Sequence, residues 1–298
     1  MLDKDFISEE FKKLQDRICD GLEYLDQNSR FKEDQWIRED GGGGRTRIIR
    51  NGRVIEKGGV AFSKVFGPVS DVMKKQLGLD GEEFLATGVS IVLHPRNPHI
   101  PIIHMNVRYF ELNTGVYWFG GGIDLTPHYI VEDQAKEFHL GLKKICDKYD
   151  SSFYSRFKDW ADDYFFIPHR NETRGIGGIF FDHINEQDGL SKERLFEFCL
   201  ELGDAFVSLY NYHVELGVNK SFTENELKWR NLRRGRYVEF NLVHDRGTKF
   251  GLLTGGRTES ILMSLPADAS WEYNLHPSPG TTEFDTVSLL KKGLNWLG

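Results

Sequence analysis

His104, Asn106 and Arg108 occupy alternate positions of one run, with Ile103, Met105, Val107 and Tyr109 between them. Side chains of an extended chain point to opposite faces in turn, so this spacing puts an imidazole, an amide and a guanidinium in a row. An imidazole titrates near neutral pH and can move a proton, and a guanidinium can grip a carboxylate through two parallel bonds. The preceding run repeats the pattern, with Ser90, Val92 and His94 on one face and Ile91 and Leu93 on the other. If the two runs pair, five polar side chains converge on one surface. The bland alternative is a solvated sheet face, but such faces usually carry Lys, Glu and Thr.

A third run, Val116-Tyr117-Trp118-Phe119, leads into Gly120-Gly121-Gly122-Ile123-Asp124. Three glycines strip a strand end of side chains and leave room for something broad to lie on the backbone. A carboxylate beside such an apolar floor has a raised pKa or needs a donor partner. Alternatively the glycines form a bulge and Asp124 caps the helix starting near residue 131, although it lies far from that start. Arg174, followed by Gly175-Ile176-Gly177-Gly178, is a further candidate cation for an anionic ligand; a lone arginine is otherwise a surface ion pair worth little.

The elements that position these residues are readable in outline. Residues 4–26 form an amphipathic helix on Phe6, Phe11, Leu14, Ile18, Leu22 and Leu25. Gly41 to Gly44 reads as a flexible joint, a plain turn because no Gly-Lys-Ser/Thr follows. Asn51-Gly52 between Arg45–Arg50 and Arg53–Glu56 signals a two-residue hairpin. Strands are expected at 84–94, 100–111 and 115–125, helices over 131–165, 191–216 and 223–234, strands again at 236–244, 249–254 and 259–265, and a helix at 284–297. Strands at both ends with helices grouped between them predict an α+β fold, a mainly antiparallel sheet covered by helices, as one domain over 1–298.

Composition removes several function classes. A net charge of −7 with no basic face argues against a nucleic-acid partner. No apolar run approaches the roughly 18–20 residues that span a bilayer, and the start, Met1-Leu2-Asp3-Lys4-Asp5, is not that of a signal peptide. Cys19, Cys146 and Cys199 are too far apart for a cysteine cluster and read as reduced thiols, so a cytoplasmic location is expected. Aromatic residues make up 13%, enough to fill a core and still line a pocket for a flat ligand.

Three long blocks resemble the oxygen-dependent coproporphyrinogen III oxidase family. They are Gly120-Gly121-Gly122-Ile123-Asp124-Leu125-Thr126-Pro127, the stretch His169-Arg170-Asn171-Glu172-Thr173-Arg174 through Asp182, and Gly235-Arg236-Tyr237 through Asp245-Arg246-Gly247 to Ser264-Leu265-Pro266. The resemblance implies a large flat antiparallel sheet sandwiched between α-helices, and a homodimer with contacts from about 237–272. It implies Ser90, Asn106, Val107, Arg108, Gly255, Gly256 and Arg257 as substrate contacts, His104 as proton donor and Asp124 at the pyrrole nitrogens. It also offers His94, His104, His139 and His169 as ligands of a divalent metal, although none of these has the close spacing of a helical zinc motif. The implied reaction converts two propionates of coproporphyrinogen III into vinyl groups, with molecular oxygen as co-substrate and no organic cofactor. Such a substrate, an apolar macrocycle fringed by carboxylates, suits an apolar cavity with a few converging cations, among them Arg108, Arg174 and Arg257. Two other classes stay open on the residues alone: a metal-dependent oxygenase or hydrolase using the histidines with Asp124 or Glu172, and a tetrapyrrole carrier without catalysis.

Overall fold

The computed structural model describes residues 2–78, 81–253 and 255–298. The chain opens with helix α1 (Lys4–Asp26), whose first turn is capped by the Asp3 carboxylate accepting from the Asp5 and Phe6 amides. Strands β1 (Lys32–Ile37), β2 (Gly42–Arg50) and β3 (Ile55–Pro68) follow, then a short helix α2 (Asp71–Leu77). The expected central strands come next, β4 (Glu83–Pro95), β5 (Ile102–Leu112) and β6 (Tyr117–Thr126). Helices α3 (Glu132–Cys146) and α4 (Phe153–Tyr164), a two-residue pairing of β7 (Phe166–Ile167) with β8 (Glu172–Thr173), and strand β9 (Gly177–Ile184) follow. Beyond it lie α5 (Lys192–Asp204), α6 (Phe206–Gly217) and α7 (Glu224–Glu239), a π-helical turn at Phe240–His244, then α8 (Arg246–Leu253), α9 (Thr258–Leu262) and α10 (Thr282–Ser288).

Seven strands form one antiparallel sheet in the order β1-β2-β3-β4-β5-β6-β9. Its apolar face carries Ile91, Met105, Val107, Ile123, Ile179 and Phe181, packed under α1, α3, α4, α5 and α6 in the main core. Helices α7 to α9 and the π turn cross the opposite face. Tyr237 packs on Val92 and Ile102, Phe240 on Phe180, and Phe250 on the cluster of Phe110 and Trp118. The expected α+β sheet between helical layers is what the chain forms. The three cysteines are free and buried, as expected.

Several local expectations differ from the structure. Only the start of the glycine tract turns: Gly42–Arg50 is strand, because Gly44 lets the Trp36 ring of β1 approach where a Cβ would lie 2.4 Å from it. The hairpin bonds continue past Arg50, the Asn51 amide donating to the Glu56 carbonyl and the Gly52 amide to the Ile55 carbonyl, so the two tip residues are Arg53 and Val54 rather than Asn51 and Gly52. The amides of Arg53, Val54 and Ile55 donate to the buried Asp26 carboxylate, which holds the tip there. The segments expected as strands at 236–244, 249–254 and 259–265 are helical, with Thr254 outside the described residues. Helix 131–165 breaks at 147–152, helix 191–216 breaks at Ala205, and the C-terminal helix is only Thr282–Ser288. Among the described residues no helix is long and apolar enough to cross a membrane.

Candidate active site

Register decides which side chains meet. One row runs across the whole sheet through Asp34, Thr46, Ala61, Ser90, Asn106, Gly122 and Phe180. The next row holds Gly59, Val92, His104, Asp124 and Gly178, and the row on the other side holds Ser63, Gly88, Arg108 and Gly120. Cross-strand partners share a face, so Ser90, His104, Asn106, Arg108 and Asp124 stand together under the α7–α9 layer. Small residues (Ala61, Gly88, Gly120, Gly122) surround the polar ones and keep the floor low. Val107, expected as a substrate contact, points the other way: its side chain is fully buried in the main core, so only its backbone borders this face.

Asp124 is the centre of a buried ionic chain. Its Oδ1 accepts from His104 Nδ1 at 2.8 Å and from Arg174 Nη2 at 2.6 Å, and its Oδ2 accepts from Arg174 Nε at 3.2 Å. Arg174 also donates to Asn241 Oδ1 at 2.9 Å, and its guanidinium carbon lies 4.4–4.6 Å from the ring centres of Phe165, Tyr237 and Phe240. Burial alone would push the Asp124 carboxyl up; the Arg174 charge and the His104 bond outweigh it and hold the group below its ordinary range. Asp124 is 1% exposed, with both oxygens engaged by His104 and Arg174. Arg174 is 3% exposed and paired with that carboxylate.

His104 keeps about a fifth of its side chain exposed. Its Nδ1–H is committed to Asp124, which fixes the ring and leaves Nε2 for proton exchange. Arg108 remains partly open; it donates to Asn106 Oδ1 at 2.8 Å and pairs with Asp182 Oδ2 at 2.9 Å. The turn Gly255-Gly256-Arg257 joins α8 to α9, and Arg257 reaches Asp34 at the far end of the long row. Ser260 bonds Thr46 at 2.7 Å, Lys57 donates to the Leu265 carbonyl at 2.6 Å and His94 Nε2 to the Ser264 carbonyl at 2.8 Å, which fastens α9 over β2, β3 and β4.

The four candidate metal histidines do not form one ligand set. His94 is fully buried and used as an anchor for α9, and burial drives its pKa well down. His139 lies in the core on the other side of the sheet, where Nε2 donates to the Ile176 carbonyl and Nδ1 accepts from the Tyr154 hydroxyl. Burial lowers it to about 4. His169 sits near the surface between His244 and Glu239. Among the described residues no group of three or more His, Cys, Asp or Glu could hold a metal ion. Glu172, the other carboxylate considered for a metal, is taken by Arg233 and Arg236.

Two members of the site were not assigned from sequence. Asn241 was hidden because its segment reads as a strand, and Asp182 because nothing local marks its partner. The glycine at 120 was the available hint: a Cβ there would lie 2.6 Å from Asp182 Oδ1 and 2.8 Å from Arg108 Nε.

The family model described as coproporphyrinogen III oxidase matches residues 6–296. The chain is 47% identical to "Coproporphyrinogen-III oxidase 1, chloroplastic" of Arabidopsis thaliana, over 95% of this chain and 76% of that protein. It is 46% identical to "Oxygen-dependent coproporphyrinogen-III oxidase" of Prochlorococcus marinus (strain MIT 9312), over 95% of this chain and 90% of that one. With identity at that level sustained along nearly the whole length, this chain belongs to the coproporphyrinogen III oxidase family.

Proposed function

We propose that the chain is an oxidoreductase that uses molecular oxygen to convert two propionates of coproporphyrinogen III into vinyl groups, giving protoporphyrinogen IX. The observation that carries this reading is His104, held by the buried Asp124–Arg174 pair and set beside Arg108 on one sheet face.

In this reading the electrons come from the propionate side chains, and the ring keeps its reduced state. Each propionate loses carbon dioxide and, from the carbon next to the ring, a hydrogen with its two bonding electrons, which oxygen accepts together with protons. The chain's own tasks are binding, orientation and proton delivery. Arg108 and Arg257 receive carboxylates from the substrate's rim, the sheet row of Ser90 and Asn106 supports the macrocycle, and the Gly255-Gly256 turn lets the backbone come close. His104 gives up its Nε2 proton as reduced oxygen leaves, and Asp124 stabilises the imidazolium between turnovers. The four histidines are not grouped as metal ligands, and no step is assigned to a metal.

The test is to incubate the purified protein with coproporphyrinogen III, with and without oxygen, while following carbon dioxide and the divinyl product. Product formed only with oxygen is expected. Tight macrocycle binding without oxygen uptake would instead indicate a carrier.

We also propose a homodimer through residues 237–272. Its support is the run of large apolar side chains there that the chain leaves exposed, Leu242, Val243, Leu253 and Trp271 among them.

A further inference from the structure

On this sheet face Arg174 is sealed among three aromatic rings, whereas Arg108 is met by a carboxylate on its open side. Asp182 pairs with Arg108 at 2.9 Å, yet the two side chains keep 23% and 35% of their surface exposed.

The backbone is bent to put Asp182 there. Between Phe119↔Ile184 and Gly121↔Phe181 strand β9 carries one residue more than β6, a bulge opposite Gly120 that re-aims Asp182. The bulge sets His183 at φ 53°, a left-handed conformation unfavourable for a residue with a side chain. It is held by the Asp182 Oδ1 bond to the His183 amide (3.0 Å) and by stacking of the His183 ring on Trp118 at 4.6 Å. Gly120 then leaves the space in which the guanidinium and the carboxylate meet. Strain kept at a site indicates that the position of this carboxylate matters there.

We propose that Asp182 is an exchangeable counter-ion for Arg108: a substrate carboxylate displaces it, and it returns when that carboxylate departs. The inference rests on the reading of Arg108 as a propionate contact. Its chemical sense follows from the reaction. The substrate enters with four carboxylates and leaves with two, so a cation that held one of them needs another partner, or it would retain the partly converted macrocycle. Asp182 thus acts as a positioning and exchange residue, which sets affinity rather than moving a proton.

The test uses coproporphyrin III, the oxidised and unreactive macrocycle with the same four propionates, titrated by fluorescence against the full-length protein. Asp182→Asn keeps the acceptor for the His183 amide and removes the charge. Binding is expected to tighten about two- to fivefold, the scale of a partly exposed ion pair. The gain should vanish when Arg108→Ala is added. Asp182→Ser serves as a second variant with the same expectation, should the asparagine fold poorly. Unchanged or weaker binding in both variants overturns the proposal, because Asp182 would then only hold Arg108 in place. Arg108→Ala alone distinguishes the two levels: if it binds like the wild type, the reading of Arg108 as a carboxylate receptor is what fails.

Discussion

Exchanging Asp124 for asparagine keeps the shape of the side chain but strands the Arg174 guanidinium in a dry, aromatic pocket. Losing one partner of a buried ion pair costs about 3–5 kcal/mol. Asp124→Asn should therefore lower the melting temperature as well as kcat, since His104 loses the acceptor that fixes its ring. The pH dependence has a definite sign. A carboxyl held below its unfolded value of about 3.9 contributes stability that is complete above that value and is lost as pH falls through the lower, folded one. The gap in melting temperature between wild type and Asp124→Asn should be full at pH 5 and above and should narrow below about pH 4. A constant gap down to acid unfolding would contradict the assignment. His104→Gln separates chemistry from stability. The residue keeps about a fifth of its side chain exposed, so the melt should change little, while kcat should fall about 10²–10⁴-fold with the loss of a proton donor. A variant that retains full turnover would remove His104 from the mechanism.

At the scale of elements, the β2–β3 hairpin is fastened to the end of α1 by one side chain. The Asp26 carboxylate accepts from the amides of Asn28, Ser29, Arg53, Val54 and Ile55, and the residue is fully buried. Asp26→Ala leaves those amides without an acceptor, at roughly 1–3 kcal/mol for each group that water cannot reach. A fall of several degrees in melting temperature is expected, with an unchanged KM if the folded fraction is compared, because the turn touches no residue of the site. This contact explains why the two-residue tip falls at Arg53-Val54 and not at Asn51-Gly52: a long-range acceptor outweighed the local preference. The central strands were legible because alternation, β-branched residues and turn chemistry agreed at 84–125. The roof was not. Tyr237-Val238-Glu239-Phe240 alternates like a strand, yet Arg233, Arg234, Tyr237 and Phe240 are buried at spacings of three and four, the period of a helix laid on the sheet. Tertiary packing overrode the β-propensity of that stretch. The π-helical turn that follows brings Asn241 to Arg174 and His244 to His169, partners that no local pattern specifies. The site itself was half legible. Parity located His104, Asn106 and Arg108 on one face and the glycines marked Asp124, whereas the ionic chain that seals Asp124 depends on contacts across 50 and 67 residues of sequence.

For the molecule as a whole, the layer that roofs the site also leaves large apolar side chains on its outside. Leu242 and Val243 are 45% and 49% exposed in the same π turn whose Asn241 is buried against Arg174. Glu239, just before that turn, gathers Arg170, Arg236, His169 and the Trp271 indole N–H. Burial would raise its carboxyl, but these partners draw it down to about 2. The turn is thus polar and fixed on its inner side and apolar toward solvent, and it is this outer side that the proposed dimer would cover. Replacing Leu242 and Val243 together by aspartate puts two charges into that patch without touching the inner contacts. Sedimentation velocity should show the wild type as a dimer at micromolar concentration and the double variant as a monomer. Leu216→Asp, a comparably exposed site on the outer face of α6, should leave the mass unchanged. Because the turn that loses its cover also carries Asn241, turnover should fall with dimer content and recover as protein concentration is raised. A monomeric wild type, or a double variant that still sediments as a dimer, would remove 237–272 as the interface and leave the roof to stand on its tethers to the sheet.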